Sequence, residues 1–149
     1  MRITTKGRYA LRAILNLASA SQDRPVSIKQ IAQEEAISPE FLEQIFFKLK
    51  KAEIIRSVRG PGGGFMLNRS ADEITVKALF DAVGEGLDLT PCMSCDTDPC
   101  EKARDCVAHK VWADVTEKVV SYFEALTLRQ IIKTYTNVVA DPAGRSSAV

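Results

Sequence analysis

The chain has 149 residues, 46% hydrophobic and 26% charged, with a formal net charge of +1. That composition suits one soluble domain with a real core, or a small domain carrying a dimerisation element. No run reaches the roughly 18 uncharged apolar residues of a membrane span, and Met1-Arg2-Ile3-Thr4-Thr5-Lys6-Gly7 lacks the apolar core of a signal peptide. A cytoplasmic protein with reduced thiols and no membrane partner is therefore expected. The small net charge hides an asymmetry. Residues 1–69 carry 12 Lys and Arg against 6 Asp and Glu, whereas residues 70–149 carry 8 against 13, so the first half suits contact with a phosphate backbone and the second does not.

In chain order, RYALRAILNLASA at 8–20 puts Ala10, Leu11, Ile14, Leu15, Leu17 and Ala18 on one broad stripe of a first helix. Ser27 and Gln30 have capping-box spacing, which predicts a second helix through about Glu35. Ser38 as N-cap, Pro39 at N1 and Glu40 at the positive dipole end open a third, 39–51, with Phe41, Leu42, Ile45, Phe46 and Leu49 facing inward. Two helices joined by a short turn form a helix-turn-helix. Two strands around 54–58 and 64–68, joined by Arg59-Gly60-Pro61-Gly62-Gly63, add a β-hairpin. A helix-turn-helix followed by a hairpin is a winged helix.

Helix signals resume at Thr75 and stop at Gly84-Glu85-Gly86. Residues 87–106 show no periodicity and read as loop. A long helix over about 106–125 then carries Val107, Val111, Trp112, Val115, Val119, Val120 and Phe123, a stripe wide enough for a partner helix as well as the chain's own core. Thr127 caps a last short helix at 128–134, and the end looks frayed. The expected fold is mainly α with a small β-hairpin. It divides into a winged helix-turn-helix DNA-binding domain (1–84), a cysteine-rich loop (85–106), dimerisation helices (107–135) and a disordered tail (136–149).

The exposed face of the third helix offers Glu40, Glu43, Gln44 and Lys48 as base readers. Gln can bond adenine N6 and N7 together, and Glu can accept from cytosine N4. Arg59 at the wing tip could enter a narrow minor groove, while Gly60, Gly62 and Gly63 let backbone approach phosphate without a Cβ. The glycine run is no nucleotide loop, because no Gly-Lys-Ser/Thr follows and the turn leads into a strand. Arg2, Thr4, Thr5, Lys6 and Arg8 are candidate phosphate contacts. Ser27 and Ser38 at two helix N-termini and Arg56 on the first strand complete the expected set.

All four cysteines, Cys92, Cys95, Cys100 and Cys106, fall in a 15-residue window, and the only histidine, His109, follows at once. Cys106 and His109 are i and i+3, on one helix face. Disulfides are disfavoured in a reducing compartment. Structural zinc would use Cys92-x2-Cys95 and Cys106-x2-His109 as two half-sites, and a [2Fe–2S] centre would take three thiolates and one imidazole. Spacing leaves both open. An enzyme is not expected, since there is no nucleophile–base set and no cofactor fingerprint beyond this window.

Three stretches, MRITTKGRYAL, RGPGGG with a following aromatic, and a three-Cys loop ending C-x2-H-x2-W, resemble the IscR-type regulators, whose relatives include NsrR, RirA and CymR types. The resemblance spans roughly residues 1–135. It implies a homodimeric winged-helix transcription factor with the long helix at the dimer interface, the cluster loop near the partner's DNA-binding domain, and a double-stranded operator as partner. The iron–sulfur assembly machinery is a further implied partner. An iron–sulfur cluster is implied over zinc, [2Fe–2S] before [4Fe–4S], held by Cys92, Cys100, Cys106 and His109. The Cys92–Cys100 spacing is two residues longer than in IscR itself and Cys95 is extra, which makes Cys95 the alternate first ligand. Relatives of NsrR type can draw a fourth ligand from an acid in the partner's first helix. Here that helix has Arg8 and Arg12 and no Asp or Glu, which favours His109.

Overall fold

The computed structural model describes residues 3–20, 24–93 and 100–139. Six helices and one hairpin follow in order: α1 (Thr5–Ala20), α2 (Ile28–Glu35), α3 (Pro39–Lys51), β1 (Ile55–Val58), β2 (Gly64–Leu67), α4 (Val76–Val83), α5 (Val107–Ala125) and α6 (Leu128–Val139). A short 3₁₀ turn, Pro91–Met93, precedes α5. The fold is mainly α with a small antiparallel hairpin, as the periodicity predicts. Residues 136–139 of the expected tail belong to α6, because the helix runs on past its expected end at 134; Cys95 and residues 140–149 lie outside the described residues. No described helix is long and apolar enough to cross a membrane.

Local chemistry sets most helix ends. Ser27 Oγ accepts from Gln30 N–H at 3.2 Å, Ser38 Oγ from Phe41 N–H at 3.3 Å and Thr75 Oγ1 from Ala78 N–H at 3.1 Å. The expected box at Ser27 forms only by half, because the Gln30 amide turns to Glu34 Oε1 instead. The complete box is at α6, where Thr127 N–H donates to Gln130 Oε1 and Gln130 N–H to Thr127 Oγ1. Between α2 and α3 the chain reverses at Ala36, held left-handed at φ 52° without being glycine. The side-chain amides of Asn16 and Gln30 donate to Glu34 and hold its carboxyl below the ordinary range.

One core joins α1 to α4 and the hairpin. Ile14, Leu17, Ile31, Leu42, Ile45, Phe46, Leu49, Ile54, Ile74 and Leu79 are buried together. Edge-to-face aromatic pairs bridge the elements: Tyr9–Phe41 between α1 and α3, and Phe46–Phe65 between α3 and β2. The register pairs Ile55 with Leu67 and Val58 with Gly64. Val26, before α2, exchanges backbone hydrogen bonds with Phe65 at 3.0 and 2.8 Å, which ties the wing to the body of the domain. The end of α5 and the start of α6 return to this same core: Leu128 is buried, Leu128 N–H donates to Ile74 C=O, and Phe123 packs edge-on to Phe80.

Candidate nucleic-acid interface and metal centre

On α3 the inward side chains Leu42, Ile45, Phe46 and Leu49 bind the helix to the core, and that packing turns Glu40, Glu43 and Gln44 outward, all exposed. Phe47 shares the outward face at 71% exposure. Phe47 follows the buried Phe46 by one 100° helical step, which carries it off the inward stripe of Leu42, Ile45, Phe46 and Leu49. Ser27 and Ser38 are spent on their caps. Lys48 Nζ donates to Val83 C=O at 3.2 Å, on the carbonyl end of α4.

The wing carries Arg56 and Arg59 outward. Arg56 Nη2 lies 3.5 Å from Met66 Sδ, and exposed Arg59 has no hydrogen bond or ion pair with another described residue. Gly60 and Gly62 sit at φ 111° and 74°, in open space, which is the backbone that makes the tight tip. The N-terminal candidates are less free. Thr4 N–H donates to Glu85 Oε1 at 2.7 Å and the Thr4 hydroxyl to Glu85 Oε2, while Lys6 Nζ donates to Gly84 C=O at 3.1 Å. Arg8 remains exposed, its guanidinium beside Thr5 Oγ1. Arg2 lies outside the described residues.

Glu85 is the buried acid of the winged-helix body, 5% exposed, and no local signal in the sequence announces it. Its carboxylate fills the space a Cβ on Gly7 would need, 2.7 Å from Oε2. Residues 83–85 are therefore gripped from two sides, by the N-terminal arm and by Lys48 on α3. The cysteine segment begins directly after them.

Within that segment Cys92 sits in the 3₁₀ turn, which packs against α5, with its Sγ 3.0 Å from Thr90 Oγ1. Cys100 is exposed, and Cys106 is the N-cap of α5 but makes no side-chain capping bond. All three are free thiols. One turn into α5, His109 Nδ1 is buried with no hydrogen-bond partner among the described residues. Free thiols and an imidazole nitrogen without a partner among the described residues have the donor chemistry of an iron–sulfur or zinc site. Among the described residues no three such groups converge on one point, so the fit is one of donor type and sequence neighbourhood.

A winged helix with an outward polar face on its second helix and an arginine-bearing wing defines a DNA-binding regulator. Residues 3–134 match the family described as Rrf2, iron-dependent transcriptional regulator, and the chain belongs to that family. It is 40% identical over 132 residues to the HTH-type transcriptional regulator IscR of Yersinia pseudotuberculosis, covering 89% of this chain and 79% of that one. The IscR of Pectobacterium carotovorum is 38% identical over 148 residues, 99% and 88% of the two chains. Among solved structures, T. potens IscR superposes with a TM-score of 0.73 at 27% identity, over 98% of this chain and 94% of that one. CymR, the global cysteine regulator of B. subtilis, gives 0.69 at 28%, over 89% and 97%. These relatives are regulators and not enzymes, in line with the absence of a nucleophile–base set from the sequence.

Proposed function

We propose that this chain is a homodimeric transcription factor whose operator affinity is set by an iron–sulfur cluster held by Cys92, Cys100, Cys106 and His109, with Cys95 as the alternate first ligand. The observation that carries this reading is the set of free thiols, Cys92, Cys100 and Cys106, that precede α5 in the chain, together with buried His109 Nδ1 in its first turn, which has no partner among the described residues. A bound cluster, [2Fe–2S] before [4Fe–4S], supplies a cross-link that depends on iron, sulfide and redox state.

The chain's own residues supply the rest. In the proposed division, residues 1–84 bind DNA, 85–106 hold the cluster and 107–135 pair the two copies. Glu40, Glu43, Gln44 and Lys48 read bases from α3, Arg59 and the glycines at 60, 62 and 63 follow the wing, and Thr4, Lys6, Arg8, Ser27, Ser38 and Arg56 lie against the phosphate backbone. Pairing of two copies is supported by α5, where Val107, Val111, Trp112, Val115 and Tyr122 are exposed. Two recognition helices then enter successive major grooves of a pseudo-palindromic site. Order in the cysteine segment is coupled to α3 through Val83-Gly84-Glu85, which Lys48, Lys6 and Thr4 hold. Contact with the iron–sulfur assembly machinery would follow from the same ligand set, and a cytoplasmic location from its need for reduced thiols.

Purification without oxygen, with metal and sulfide analysis and a visible spectrum, tests the ligand set. Iron and inorganic sulfide with charge-transfer bands are expected, lost on Cys106→Ala. Colourless protein with one zinc per chain would replace this reading with a structural zinc site and constitutive DNA binding.

A further inference from the structure

Phe47 stands apart from every other exposed aromatic. Among the described residues the large apolar side chains left in solvent are Val107, Val111, Trp112, Val115 and Tyr122 on α5, Tyr135 on α6, and Phe47. Those of α5 form the face proposed to pair with a second copy, and Tyr135 lies on α6, outside the winged helix. Phe47 is the single member on the winged-helix body, and it takes no part in the ring pairs that knit that body together. It lies on the outward face of α3, three and four residues beyond Gln44 and Glu43 and between them and the exposed Lys50 and Lys51.

A phenyl ring in that setting calls for an apolar counterpart on a surface otherwise read by hydrogen bonds. In a major groove only one base edge supplies it, the C5-methyl group of thymine. We infer that Phe47 is a specificity-determining residue that packs on a thymine methyl, and so adds a thymine requirement to each half-site beside the bases reached by Glu43 and Gln44. This rests on the reading of α3 as the base-reading helix and narrows it. A rise of about 1.5 Å per residue puts the ring some 5 Å further along the helix than the polar readers, or one to two base-pair steps of about 3.4 Å. The ring is 71% exposed, so its removal takes little from the core.

The test is selection from a random-sequence duplex library with the wild-type chain, metal-loaded as purified, and with Phe47→Ala. Wild type should enrich thymine at one column of each half-site. Phe47→Ala should keep the columns read by Gln44 and Glu43 but lose that thymine. Replacing the enriched thymine by deoxyuridine, which lacks only the methyl, should weaken wild-type binding about fourfold per half-site, the size expected for one methyl group leaving an apolar contact, and leave Phe47→Ala unchanged. An identical motif for both proteins, or indifference of the wild type to uracil, overturns the assignment while sparing the base-reading role of α3. No enriched motif with wild type overturns both. Self-association through Phe47 would show instead as a change in sedimentation of free Phe47→Ala with its motif intact, and would also overturn it.

Discussion

Glu85 and Gly7 form one contact seen from two sides. The carboxylate takes two donors from Thr4, and Gly7 leaves it room. Glu85→Ala orphans the Thr4 N–H and should cost about 1–3 kcal/mol, the usual penalty for an unsatisfied partly buried donor, read as a lower urea midpoint at unchanged slope. Gly7→Ala should cost a similar amount by pushing the carboxylate aside, yet almost nothing in the Glu85→Ala background. Simple additivity of the two losses would show that they act at separate places. Ala36 offers the opposite sign. An L-residue at φ 52° bears a left-handed penalty of roughly 1–2 kcal/mol, partly offset for glycine by its greater entropy loss, so Ala36→Gly should be neutral or raise stability by up to about 1 kcal/mol. At this scale the sequence was legible wherever chemistry is local. Ser27, Ser38 and Thr75 announce their caps within three residues, whereas Glu85 meets Thr4 across 81 positions and looked like a mere helix stop.

Among the elements, α5 is the two-faced one. His109, Ala113, Thr116, Val120 and Phe123 are half-buried against the chain's own body, and Val107, Val111, Val115 and Tyr122 are left outside. The period of the apolar positions made both faces readable from sequence, because it exceeds what one interface uses. It could not show that α6 is fastened at its start by Leu128 and Arg129 to backbone carbonyls of Ile74 and Ala71, nor that α6 runs on to Val139. A charge on the outer face should separate the copies: Val111→Glu is expected to sediment as a folded monomer at micromolar concentration and to lose at least about tenfold in operator binding, since half-sites are then engaged singly. A persistent dimer in that variant would place the interface elsewhere.

In the whole molecule, three residues lie between the winged helix and the cysteine-rich segment. Val83, Gly84 and Glu85 bear the contacts of Lys48, Lys6 and Thr4 on one side and lead into the cysteine segment on the other. The charge asymmetry, the winged helix and the cysteine window were each legible in the sequence, since composition and spacing express them directly. Which of these ligands share a centre was not, because Cys92 and Cys100 lie in non-periodic chain, and among the described residues no three ligand groups meet at one point. The central claim is that the state of that segment changes DNA binding. Operator affinity of apo and cluster-loaded protein, measured by fluorescence anisotropy at one salt concentration without oxygen, tests it most directly. A difference of about tenfold or more is expected for at least one operator, within the usual range of coupling between two sites. Equal affinities for every operator selected by the wild-type chain would contradict it.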